Sequence, residues 1–182
     1  MKNINEIIPC VILAGGKGRR MGGKEKGLIN LLDRPLISYV LEKVSGKAAP
    51  IALNINTNFE KFKNFGYEIL EDPLKGHLGP LVGILASLNW AKNIKQKWVL
   101  TLPCDTPFLP QNLIESLLKV KNENPDLDLV VAKSRGFNHP VIALWKTDNN
   151  LILKKAIEEG VRKIDIFTSK LKTAHVNFDE ID

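Results

Sequence analysis

Between Gly15 and Gly27 the chain reads GGKGRRMGGKEKG, so thirteen residues hold six of its thirteen glycines and five cations, Lys17, Arg19, Arg20, Lys24 and Lys26, against one acid, Glu25. Glycine admits φ > 0 and lets a ligand approach the main chain, so that amide N–H groups can converge on an anion while the cations add charge. A flexible basic surface loop has the same composition, and position separates the two readings. The run Cys10-Val11-Ile12-Leu13-Ala14 just before it is continuous and apolar, as in a parallel strand buried on both faces. Open α/β sheets bind ligands at the carboxyl ends of such strands. The segment is therefore expected to hold a polyanion at a sheet edge.

Neither familiar phosphate fingerprint fits. Gly22-Gly23-Lys24 runs on into Glu25 rather than Ser or Thr, which excludes a Walker loop, and a Gly-x-Gly-x-x-Gly reading from Gly16 and Gly18 meets Met21 where the third glycine belongs.

A chain of 182 residues, 44% hydrophobic, suits one well-buried core, and a single domain over residues 1–182 is expected. The net charge is +6, but the cations outside the glycine-rich segment are spread along the sequence and come with only three Trp and two Tyr, which favours steering of small anions over nucleic-acid binding. Pro9 interrupts the first apolar run, so neither a signal peptide nor a membrane span is expected, and the cytoplasm is the expected location. Cys10 opens the first strand and Cys104 follows a later one. If the two strands are parallel neighbours, the thiols lie at opposite ends, roughly twice the ~7 Å reach of a disulfide apart.

Apolar spacing predicts a helix from Pro35 through Leu36, Ile37, Val40, Leu41 and Val44 to Gly46, a strand over Ile51 to Ile55, a short helix around Phe59 and Phe62, and a strand over Tyr67 to Leu70. A second glycine-rich turn, Gly76 to Gly83, precedes a helix marked by Leu81, Ile84, Leu85 and Leu88, whose free N-terminal amides suit an anion. Trp98 to Leu102 reads as a strand and Leu113 to Leu118 as a helix. Leu129 to Ala132 and Val141 to Trp145 are further strands, Leu151 to Ile157 and Ile164 to Phe167 are helical, and Ala174 to Phe178 is a last strand. The alternation implies a mainly parallel sheet with right-handed crossovers and helices on both faces.

Asp105 follows a buried strand and stands between Pro103 and Pro107, at the same predicted edge as the glycines. Two readings apply: an aspartate of a turn before Thr-Pro, or a Mg²⁺ ligand beside a triphosphate, where two unit charges about 4 Å apart interact by ~4 kcal/mol at an effective dielectric of 20. Lys26, between glycines, is either an exposed lysine or a cation placed to neutralise charge at a reacting phosphorus. His77 and His139 are read as structural or substrate-edge residues, and Trp90, Trp98 and Trp145 as packing.

The stretch Leu13-Ala14-Gly15-Gly16-Lys17-Gly18-Arg19-Arg20-Met21-Gly22-Gly23 with Lys26-Gly27-Leu28 resembles the signature of the molybdenum cofactor guanylyltransferases. The resemblance continues through Glu71-Asp72, Gly79-Pro80-Leu81-Val82-Gly83, Pro103 to Pro110 and His139-Pro140. It implies a Rossmann-like three-layer nucleotidyltransferase that moves GMP from GTP to the phosphate of molybdopterin cofactor and releases pyrophosphate. It further implies backbone contacts to the nucleotide from Leu13, Ala14 and Gly15, phosphate contact from Lys26, base or ribose contact from Asn54, nucleoside contact from Asp72, and contact of Asp105 with both GTP and Mg²⁺. Within that frame the amides of Gly15, Gly16 and Gly18 and the side chain of Arg20 hold the leaving phosphates, and a backbone pocket near Gly79 flanks the guanine. Asn54 as a plain strand-end asparagine is the competing reading. Partners implied are GTP, the molybdopterin cofactor and, transiently, molybdoenzymes or their chaperones.

Two departures from the family pattern stand out. Glu25 replaces an aspartate before the lysine, keeping the charge on a longer arm. Family members continue beyond the position of Phe178 into a segment with asparagines and Thr-Pro, whereas this sequence ends at Asp182, so either the last metal-side contact comes from elsewhere or activity is impaired. Cytidylyl transfer, nucleotidyl transfer to a sugar phosphate, and a non-catalytic cofactor carrier are the alternatives.

Overall fold

The computed structural model describes residues 6–15, 17–18, 24–74 and 79–179. Eleven strands and six α-helices alternate along it: β1 (Ile8–Leu13), β2 (Lys17–Gly18), β3 (Lys24–Glu25), β4 (Asn30–Leu31), β5 (Arg34–Pro35), α1 (Leu36–Val44), β6 (Ala48–Asn54), α2 (Phe59–Lys63), β7 (Glu68–Leu70), α3 (Pro80–Asn93), β8 (Trp98–Pro103), α4 (Leu113–Glu123), β9 (Leu129–Ser134), β10 (Phe137–Lys146), α5 (Asn150–Glu158), α6 (Ile164–Thr168) and β11 (Thr173–Asn177).

Seven strands form one sheet in the order β11-β9-β10-β8-β1-β6-β7. Alternate residues of each strand face opposite layers, so Cys10 and Ile12 of β1, Leu100 and Leu102 of β8 and Val130 of β9 pack with α1, α2 and α4. Val11, Val99, Leu129 and Val131 pack on the other face, with α3, α5 and α6. A three-layer α/β sandwich results, as the periodicity implies.

The neighbours β8, β1, β6 and β7 run parallel, as do β9 and β11, but β10 is antiparallel to both β8 and β9. The sheet is mainly parallel, as expected from the sequence, and β10 reverses for a local reason. Arg135 and Gly136 connect β9 to β10 with φ of 49° and 78°, and two left-handed residues make the tight turn of a hairpin, which reverses the chain. The glycine-rich segment also has regular pairing, with Lys17 opposite Glu25 and Gly18 opposite Lys24. Cys10 and Cys104 are both buried and free. Their register places Cys10 opposite Leu100 while the Cys104 N–H donates to the Leu13 carbonyl, at opposite ends of the paired strands as expected.

Candidate functional site

Four parallel strands end side by side, and the residues that follow them make a row. β8 delivers Asp105, β1 delivers Ala14 and Gly15, β6 ends on Asn54, and β7 leads to Asp72. Main-chain bonds knit the row together: Cys104 N–H to Leu13 O (3.1 Å), Ala14 N–H to Asn54 O (2.9 Å) and Ile55 N–H to Leu70 O (2.9 Å). With strands about 4.8 Å apart, Asp105 and Asp72 stand roughly 14 Å from each other across three strand spacings.

At one end of the row, Asp72 is locked on three sides. Asn54 Nδ2 donates to its Oδ1 (2.9 Å), Asn56 Nδ2 donates to its Oδ2 (2.7 Å), and the Asp72 N–H donates to Asn56 Oδ1 (2.9 Å). Burial holds this carboxyl above its ordinary value of 3.8, against the opposing pull of the two amide donors. Because the folded-state value is raised, the carboxyl favours folding while protonated and loses that contribution as pH rises through the raised value. Contact of this carboxylate with a nucleotide, which the sequence resemblance implies, would run the other way. GTP affinity is expected to fall as pH drops through an Asp72 midpoint above 3.8, and Asp72→Asn is expected to abolish that part of the profile. Calorimetric titrations between about pH 4 and 7 check this, the variant separating Asp72 from titration of the triphosphate itself.

Asn54 is only 2% exposed. Its amide hydrogens go to Leu70 O (3.2 Å) and Asp72, while its Oδ1 lies against two glycines, Gly15 and Gly83. The side chain braces the row from behind. Asn56 was not singled out from the sequence, although Asn54-Ile55-Asn56 at a strand end offered the signal. It also approaches the Gly15 carbonyl (3.5 Å), and a side chain at Gly15 would collide with its amide.

At the other end, Lys26 Nζ lies 3.1 Å from Asp105 Oδ2, with the two side chains 44% and 33% exposed. The two residues, 79 positions apart in sequence, are thus joined. Lys26 opens a 3₁₀ turn, Lys26–Leu28, whose Gly27 is pressed so closely on Cys104 that an added Cβ would lie 3.2 Å from the cysteine Cβ. Thr106 Oγ1 donates to the Pro103 carbonyl (3.1 Å) and closes the turn that carries Asp105. Cys104, beneath, has its thiol pushed up to about 12 by burial and by the Asp105 charge, so it offers no nucleophile near neutral pH.

Gly79 precedes α3 with φ 79° and ψ −166°, a backbone region open essentially to glycine alone. Gly16 and Arg20, and Gly76 to Leu78 of the second turn, lie outside the described residues. Beyond Asp105, on the side away from Asp72, is a cavity of ≈ 380 Å³ lined by Asp105, Phe108, Lys133, His139, Ile142 and Phe178 among others. His139 Nε2 lies 2.7 Å from Ser134 Oγ on its wall.

The family model of the MobA-like NTP transferase domain matches residues 10–170. The chain belongs to that family. Among curated relatives, molybdenum cofactor guanylyltransferase of Rhodopseudomonas palustris is 38% identical over 173 residues, covering 93% of this chain and 82% of the relative. The Shewanella sediminis enzyme of the same name is 35% identical, covering 95% of this chain and 86% of its own length. The solved structure of molybdopterin-guanine dinucleotide biosynthesis protein A from Archaeoglobus fulgidus superposes with a TM-score of 0.75 at 26% identity, over 93% of this chain and 83% of that one. A MobA-like domain is a nucleotidyltransferase. Among the described residues no helix is long and apolar enough to cross a membrane.

Proposed function

We propose that this chain transfers GMP from GTP to the phosphate of molybdopterin cofactor and releases pyrophosphate. The observation that carries the reading is the position of the Lys26–Asp105 pair, between a row of strand-end groups long enough for a nucleotide and a separate cavity for a second substrate. The names of the relatives supply the identity of both substrates.

The nucleoside lies toward Asp72, which Asn54 and Asn56 hold in place. Leu13, Ala14 and Gly15 offer main chain along its middle, and Gly79, before α3, flanks the base. Lys26 faces the phosphates and lowers the charge felt at the α-phosphorus. Gly16 and Arg20 are assigned to the leaving phosphates on the sequence resemblance alone.

The cavity beyond Asp105 takes the pterin. Phe108, Ile142 and Phe178 suit a flat aromatic body, and Lys133 suits its phosphate. A phosphate oxygen of the acceptor attacks the α-phosphorus in line, the bond from that phosphorus to the α–β bridging oxygen breaks, and the electron pair leaves with pyrophosphate. The acceptor is itself the nucleophile, so no side chain need form a covalent intermediate.

Asp105 also fits a Mg²⁺ ligand. Its carboxylate is one-third exposed and, among the described residues, accepts a hydrogen bond only from Lys26. No group of three metal-binding side chains occurs among the described residues, which suits an ion that takes one or two carboxylates and completes its shell with water and phosphate. Mg²⁺ so held would offset triphosphate charge. Passing the product on implies transient docking to a molybdoenzyme or its chaperone.

Incubation with molybdopterin cofactor, Mg²⁺ and either GTP or CTP tests the proposal. Pyrophosphate release with GTP is expected to exceed that with CTP by about 10²-fold or more, the size of discrimination available to a site that hydrogen-bonds one base. Equal release with both, or release only with CTP, sinks the guanylyl assignment.

A further inference from the structure

Glu25 is the one acid in a stretch built for an anion, and its own charge opposes that purpose. The structure shows it engaged. Its Oε1 accepts from Thr57 Oγ1 (2.6 Å) and from Asn58 Nδ2 (2.7 Å), on the loop that follows β6. Both bonds are charge-assisted and tie together segments more than thirty residues apart in sequence.

Asn58 makes the arrangement more pointed. It occupies the position before the first turn of α2, where an asparagine ordinarily caps the helix, yet it makes no side-chain cap bond. It also takes left-handed backbone angles, φ 56° and ψ 37°. Its amide goes to Glu25 instead.

The next residue is Lys26. Its backbone is therefore anchored on both sides, by the Glu25 carboxylate before it and by Gly27 packed against Cys104 after it. Between those anchors its ammonium group meets Asp105 at 3.1 Å.

We infer that Glu25, clasped by Thr57 and Asn58, is a positioning residue for Lys26, fixing the ammonium group where the phosphates of the nucleotide bind. The inference rests on the assignment of Lys26 to those phosphates. Displacing a catalytic cation by about 1 Å is enough to lower turnover by roughly 10²-fold, so a clasp one residue away has leverage.

The test uses the full chain with Glu25→Ala, Glu25→Gln, Asn58→Gly and Lys26→Ala. Glutamine keeps the arm and the accepting oxygen, and glycine keeps the left-handed turn while deleting the donor. Labelling of Lys26 by an amine-directed reagent, read by mass spectrometry of its peptide, needs no substrate. It is expected to run at least about twofold faster in Glu25→Ala and Asn58→Gly and near the wild-type rate in Glu25→Gln, since a lysine released from its partners meets reagent freely. In the GTP assay, kcat in Glu25→Ala is expected to fall about tenfold or more, with rescue by glutamine, and no further fall when the change is made on Lys26→Ala. Unchanged labelling of Lys26 in both Glu25→Ala and Asn58→Gly overturns the inference, as does an equal loss of kcat on the Lys26→Ala background. Absence of pyrophosphate release in the wild type would count against guanylyl transfer instead, and the labelling rates would still decide the positioning role.

Discussion

Asp105→Ala is expected to lower the rate of pyrophosphate release by about 10²- to 10³-fold, and Lys26→Ala by a similar factor, the range seen when one preorganised electrostatic group is removed at a reacting centre. Folding should barely register either change. The pair is substantially exposed, at 44% and 33%, and an ion pair in that setting contributes ~0–1 kcal/mol. Large loss of rate with a thermal midpoint close to wild type is what separates a site at the sheet edge from a structural bridge. The double variant should lose little more than either single one, because both groups act on the same phosphate charge. Steady-state kinetics beside thermal denaturation make the comparison, and turnover within about threefold of wild type in Asp105→Ala would remove that residue from the chemistry.

Much of this site was legible in the sequence because its parts are local. The run Cys10 to Ala14 ends on glycine, Asp105 is bracketed by prolines after an apolar run, and Lys26 sits between glycine turns. The first two announce strand ends by composition alone, and Lys26 announces a tight turn. That the first two meet follows from parallel order, since β1 lies beside β8, whereas Lys26 reaches Asp105 from a turn that Gly27 seats against Cys104. The direction of β10 was not legible from periodicity, which is the same whichever way a strand runs. It depends on the φ angles of Arg135 and Gly136. Asn56 and the partners of Glu25 escaped for another reason. Their hydrogen bonds reach 16 to 33 residues along the chain, and no spacing rule encodes such contacts. The inward use of Asn54 escaped likewise, because burial of a polar strand-end residue is fixed only by what packs behind it.

What packs behind Asn54 is the first turn of α3, and there a methyl group should do damage out of proportion to its size. Gly83→Ala is expected to destabilise the protein by about 1 kcal/mol and to weaken GTP binding about tenfold, although alanine in a helix is favoured over glycine by ~1 kcal/mol. The Cβ would lie 2.6 Å from Asn54 Oδ1 and 3.4 Å from Leu13 Cδ2. Neither neighbour has room. Asn54 is 2% exposed and its amide is tied to Leu70 O and Asp72, so the side chain can retreat only by pulling on Asp72. Overpacking of this kind costs about 1–3 kcal/mol, enough to outweigh the propensity gain. Coupling gives the sharper check. On an Asn54→Ala background the obstruction is gone, so Gly83→Ala should there become neutral or stabilising, a non-additivity expected only of residues in contact. Chemical denaturation of the four proteins, with GTP titrations on the folded ones, measures both effects. Should Gly83→Ala alone prove more stable than wild type and bind GTP normally, Asn54 would have slack that this packing denies, and Asp72 would owe its position to Asn56 alone.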